Sequence, residues 1–232
     1  MKLLILPFLS LAVLPLASHA QSAAGYEVTG HITGLADGTR LYLIDGGRRV
    51  RIDSATVQQG QFALRGKVAE PVHTYLYAGR GRASTKLADI LLDNQRVQVR
   101  GSQPAYDDVV VSGSDIDRQC KEWIREDARL AQRRTDLGQR AQARLAQPDT
   151  AGAGKLRHER AQVQRERITL LKAYVRRYHD TAVGAALPTL CTLSASLTGA
   201  DYQEMYQSLT PRWQQSTMGR EVLTQASQHS TK

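Results

Sequence analysis

The apolar pattern of this chain changes period at Gly113-Ser114. Before that point apolar and polar residues alternate and turn signals recur. After it, apolar residues return at intervals of three, four or seven. A period of two sends successive side chains to opposite faces of a strand, and a period near 3.6 lines one face of a helix. A chain that does first one and then the other segregates its strands from its helices. The expectation is an α+β fold: an antiparallel β-sandwich or open barrel, followed by a helical region with a long αα-hairpin.

Seven or eight short strands are predicted, around Tyr26–Ile32, Leu41–Ile44, Val50–Ser54, Phe62–Leu64, His73–Tyr77, Lys86–Leu92, Val97–Val99 and Val109–Val111. Asp37-Gly38, Asp45-Gly46-Gly47 and Gln59-Gly60 separate several of them, and such pairs readily take the positive φ of a tight turn. The alternation implies one buried face and one wet face per strand.

Ser114 followed by Asp117 resembles a capping box, so a helix should start there. Its apolar stripe is Ile116, Cys120, Trp123, Ile124, Leu130, Leu137, Ala141 and Leu145. Residues 147–154 (QPDTAGAG) read as a loop. A second helix, from about Lys155 to Tyr178, carries Val163, Leu170, Leu171, Tyr174 and Tyr178 on one side. The hairpin thus spans about 115–178. Shorter helices are expected over Ala182–Leu193, Asp201–Leu209 and Ser216–Ala226, with Gln228–Lys232 frayed.

The first twenty residues read as an address. Lys2 is followed by a nearly unbroken apolar run from Leu3 to Leu16 and then by Ser18-His19-Ala20. This is the order of a secretory signal peptide, and the run is shorter than the roughly 20 residues of a spanning helix. Cleavage after Ala20 would leave Gln21, which cannot take the lipid of a bacterial lipoprotein. The expected organisation is a signal peptide over 1–20, a β-rich part over 21–113 and a helical part over 114–232. The mature chain would be periplasmic or secreted, with no transmembrane segment.

Charge is distributed unevenly. The whole chain carries a formal +9. Residues 118–178 hold 16 basic and 7 acidic side chains, while residues 21–117 hold 11 of each. Arg118, Lys121, Arg125 and Arg129 are spaced to lie on one side of the first helix. Such a stripe suits an acidic polymer or an anionic headgroup. The competing reading is a solvated face, because Glu122, Glu126, Asp127, Glu159 and Glu166 are interspersed and can pair locally. Export, and the lack of aromatics between the basic residues, argue against nucleic acid.

No Walker loop, GxSxG elbow, HExxH pair or CxxC occurs, and no reaction is named by the residues. The five histidines beyond the leader have no metal-ligand spacing, and no cofactor is implied. Asp53-Ser54 reads as a strand end or turn. Cys120 and Cys191 both lie in apolar surroundings. They are expected to be buried thiols, with a disulfide between them as the alternative in an oxidising compartment.

The β-rich half resembles a known family. Val28-Thr29-Gly30-His31-Ile32-Thr33-Gly34-Leu35, Asp37-Gly38, Leu41-Tyr42-Leu43, Asp53-Ser54-Ala55, Gly60-Gln61-Phe62 and Gly66 are similar to its opening. Leu91-Leu92-Asp93-Asn94 and Val111-Ser112-Gly113-Ser114 match later pieces. The family is the domain of unknown function that precedes the thioredoxin-like domain in Bacteroidetes-type thiol–disulfide interchange proteins of the AhpC/TSA class. The resemblance implies a helical linker after the β-rich part, with Tyr178-His179-Asp180-Thr181-Ala182 at a helix start. The family's CxxC would fall beyond residue 232, so no redox residue carries over.

Two functions follow as expectations. One is an exported, non-catalytic binding module of the bacterial cell envelope, whose partner is an envelope protein or an acidic cell-surface polymer. The other is a redox accessory to a separate thioredoxin-like oxidoreductase.

Overall fold

The computed structural model describes residues 25–146 and 151–230. The proposed signal peptide therefore lies outside the described residues. Eight strands are present: β1 (Tyr26–Ile32), β2 (Arg40–Asp45), β3 (Arg51–Thr56), β4 (Gln61–Gly66), β5 (Val72–Ala78), β6 (Thr85–Leu92), β7 (Arg96–Gly101) and β8 (Val110–Ser112). They form two four-stranded sheets, ordered β4-β1-β7-β8 and β3-β2-β5-β6. The inward residues of both sheets make one core. Val28, Leu64 and Val97 come from the first sheet, and Leu43, Leu76 and Ile90 from the second.

One pairing departs from the antiparallel expectation: β1 runs parallel to β7, with Val28 opposite Val97. Parallel neighbours need a long crossover. Here the crossover carries the whole second sheet and β4, so no local turn signal announces it. Gly30 opposes Phe62 of β4, and a Cβ there would lie 2.2 Å from the Phe62 ring. Asp53-Ser54 is not a strand end but lies inside β3. β3 is an edge strand, and the Asp53 carboxylate accepts from the Tyr26 hydroxyl (3.2 Å) and from the Arg65 backbone N–H (3.1 Å).

Six helices follow: α1 (Asp115–Leu145), α2 (Ala151–Arg177), α3 (Ala182–Leu190), α4 (Gly199–Ser208), α5 (Pro211–Gln214) and α6 (Thr217–His229). The Ser114 hydroxyl caps α1 by accepting from the Asp117 N–H (3.2 Å). The Asp117 side chain does not complete the box. It accepts instead from the Leu91 N–H (3.0 Å) and from Lys121 Nζ (2.6 Å). The start of α1 thereby satisfies a backbone donor of β6, an edge strand. Leu91 itself packs into the helical core with Trp123, Leu187 and Tyr202.

α2 begins earlier than its sequence suggests, and Ala151–Gly154 is helical rather than loop. Gly152 and Gly154 are poor helix formers, at about 1 kcal/mol each relative to Ala. Interhelical packing overrides them: Ala153 is fully buried. α3 stops at Leu190, short of the expected Leu193, with Pro188 in its last turn. α5 was not expected. α6 persists to His229, whose ring lies 5.1 Å from that of Tyr202, so the predicted fraying at Gln228 does not occur.

Ile124 is 47% exposed, although it was expected to face inward beside Trp123, and Leu145 is also exposed. The buried stripe of α1 runs Asp117, Cys120, Trp123, Asp127, Leu137 and Ala141. Ile124 shares the face of Asp117 and Cys120 at the start of α1, but from Trp123 outward the line through Asp127, Leu137 and Ala141 leaves it about 100° to one side. The outer part of the hairpin has a small core of its own, made by Leu137, Ala141, Leu156 and Val163. It adds no side chain to the main helical core.

Candidate functional site: a basic helical arm

The four basic residues singled out on α1 separate into two kinds. Arg118 is held by Glu122 (2.7 Å) and Asp115 (3.3 Å), and Lys121 by Asp117 (2.6 Å). Arg125 and Arg129 are exposed and form no ion pair among the described residues. The larger basic excess lies further out. From 129 to 165, the stretch whose described residues form the outer arm, nine basic side chains stand against three acidic ones, Asp136, Asp149 and Glu159. Arg133 pairs with Glu166 at 3.3 Å. A narrow arm of two helices cannot bury this charge, so it is presented to solvent on several sides.

Not every arginine projects outward. Arg167 is 5% exposed and Asp127 equally buried. Two hydrogen bonds of 2.7 Å join the guanidinium to the carboxylate, and Arg167 also donates to the Thr192 hydroxyl (3.1 Å). This pair fastens α1 to α2 at the base of the arm. It escapes a sequence reading that counts charge, but not one that counts position. Asp127 lies seven residues after Cys120, and Arg167 four before Leu171, each on its helix's apolar stripe.

Cys120 and Cys191 are free and buried in the same helical core. Burial, then the Asp117 charge, pushes the Cys120 thiol up to about 12. Burial likewise raises Cys191 to about 11. Such thiols are poor nucleophiles near neutral pH.

A cleft of about 750 Å³ opens where the second sheet meets α3 and α6. Val50, His73 and Tyr75 line one side, and Ala186, Leu190 and Met218 the other. Glu70 crosses its edge and accepts from the Thr217 N–H at the start of α6 (2.8 Å). His73 also reaches Asp89 (3.5 Å), which accepts from Lys86 (2.8 Å) and from the Tyr106 hydroxyl. Burial alone would raise the Asp89 carboxyl, but the hydrogen bonds from His73, Lys86 and Tyr106 outweigh it and hold it down at about 2. Lys86, the Tyr106 hydroxyl and the His73 ring surround Asp89, so it reads as part of a polar cluster rather than a nucleophile. Among the described residues no group of three or more His, Cys, Asp or Glu side chains is placed to hold a metal ion. None of the described helices is long and apolar enough to cross a membrane.

The class defined here is a two-sheet β unit bearing a basic helical hairpin. The family described as "Domain of unknown function (DUF4369)" matches residues 26–119, covering the eight strands and the first residues of α1. The arm lies outside that match. No curated protein and no solved structure matches the chain.

Proposed function

We propose that this chain is an exported, non-catalytic interaction module of the bacterial cell envelope, and that its helical arm engages an acidic cell-surface polymer. The observation that carries this reading is the nine-to-three excess of basic side chains between residues 129 and 165. Charge concentrated on a projecting element raises the local concentration of an anionic partner and speeds encounter. The amino-terminal pattern of the sequence supports export.

The other role, as accessory to a separate thioredoxin-like oxidoreductase, calls for an accessible thiol of lowered pKa. Burial and the raised thiols of Cys120 and Cys191 count against it. Binding of the purified chain to polygalacturonate, measured across a salt series, tests the proposal. Binding that weakens steeply with salt is the expected result. No binding at low salt, where the Debye length is about 30 Å at 0.01 M, rejects it.

A further inference from the structure

Val50 stands 53% exposed on the lip of the cleft between the second sheet and the helices. Its apolar side chain continues a longer apolar surface. Ile52, Val68 and Val72 of the β unit face Leu190 of α3 and Met218 of α6 across a space of about 750 Å³. A concave site of this size, with apolar walls and few polar groups, suits a small ligand. Among the described residues none of α1 or α2 lines it, so it is separate from the basic arm.

The walls are mainly aliphatic. Among the described residues Tyr75 is the only phenyl ring on them. Arg49 (5.2 Å) and Lys86 (4.8 Å) lie over that ring, and the His73 ring meets it edge-on at 4.8 Å. A ring so crowded gives poor footing to a sugar or a planar heterocycle.

Most polar side chains of the walls are already engaged. Asp45 accepts from the Gly47 and Arg48 N–H groups (2.9 and 2.8 Å), and the Thr189 hydroxyl donates to the Ala186 carbonyl (3.1 Å). Glu70 accepts from the Thr217 N–H (2.8 Å), and Glu221 from the Gln225 amide (3.1 Å). Arg48 differs: its side chain forms no hydrogen bond or ion pair among the described residues. Its backbone is nonetheless fixed. The buried Asp45 holds it, and Arg49 beside it takes a φ of 58°, a strained value for a residue other than glycine. The turn therefore presents one unpaired guanidinium at the mouth of an aliphatic cleft.

We propose that this cleft binds a long-chain carboxylate, with the alkyl tail between the two walls and the head group on Arg48. One guanidinium fork matches one carboxylate in geometry and in charge. Aliphatic walls take up methylene groups, which gain by leaving water. Glu70 and Glu221, the acids of the rim, keep to their own donors and leave Arg48 unneutralised.

The test is a calorimetric titration of the folded chain with sodium octanoate, decanoate and dodecanoate, each below its micelle concentration. Affinity should rise about fourfold per added methylene, the effect of burying one CH2. Arg48→Gln should weaken dodecanoate about tenfold, the consequence of losing charge-assisted hydrogen bonds. Its melting temperature without ligand should not change, because Asp45 holds the backbone of residue 48 and not the side chain. Arg48→Glu should reject dodecanoate and take dodecyltrimethylammonium instead. Val50→Asp, at an exposed position, should also weaken dodecanoate by setting a like charge on the lip.

Affinity that ignores chain length, or full dodecanoate affinity in Arg48→Gln, overturns the proposal. So does a loss confined to Arg125→Gln/Arg129→Gln, which would put the carboxylate on the arm. Polygalacturonate, which has no alkyl chain, should bind Arg48→Gln as it binds the wild type, so the cleft and the arm fail separately.

Discussion

Asp127 and Arg167 are joined by two hydrogen bonds of 2.7 Å in a buried layer between α1 and α2. Buried ion pairs add little net stability over an apolar pair, but removing one partner strands a charge. Arg167→Met should therefore cost about 3–5 kcal/mol, and the Asp127→Leu/Arg167→Met double variant much less. Urea denaturation of the three proteins measures the difference. A single variant as stable as the wild type would show that the layer is wet.

Trp123 and Ile124 are neighbours in sequence with opposite fates. Trp123→Ala should cost about 3–5 kcal/mol, because the ring is 2% exposed in the helical core. Ile124→Ala should stay within about 1 kcal/mol, since a half-exposed side chain has little burial to lose. Chemical denaturation curves of the two variants should separate clearly.

Arg125→Gln/Arg129→Gln should leave stability within about 0.5 kcal/mol per site, as exposed changes usually do. The same variant should bind polygalacturonate more weakly at low salt and converge with the wild type as salt rises. Early unfolding of this variant would instead assign those side chains a structural role.

Asp89 makes stability depend on acid. Its folded pKa of about 2 lies below the ordinary 3.8. The contribution is therefore fully present above pH ~4 and is lost as the pH falls from there through about 2. A shift of that size corresponds to about 2 kcal/mol. Asp89→Asn should flatten this part of the stability–pH curve, as followed by urea midpoints across the acid range.

Cys120 and Cys191 should not react with a thiol reagent at pH 8 in the native chain, and both should react after denaturation. Their pKa values of about 12 and 11 leave almost no thiolate at that pH. An insulin-reduction assay should show no cysteine-dependent turnover. Activity lost in a Cys120→Ser/Cys191→Ser variant would revive the redox reading.

The sequence by itself determined the elements, because strand and helix periods are local properties. The alternation of Val28, Leu64 and Val97 with polar neighbours marked the sheet faces, and Ser114 marked the start of α1. Buried cysteines were legible from their apolar surroundings, and the charge excess of the hairpin from counting. Tertiary structure decided which elements meet. The parallel β1–β7 pair depends on residues about seventy positions apart, and no local signal encodes that. The side chain of Asp117 left its own helix cap for the Leu91 N–H because β6 arrived there with an unpaired donor. Whether an arginine is solvated or buried was likewise settled by its layer in the hairpin. Arg167 meets a carboxylate at the base and is buried, while Arg125 and Arg129 stay exposed on the outer side of α1, and only the packing of two folded helices fixes that difference.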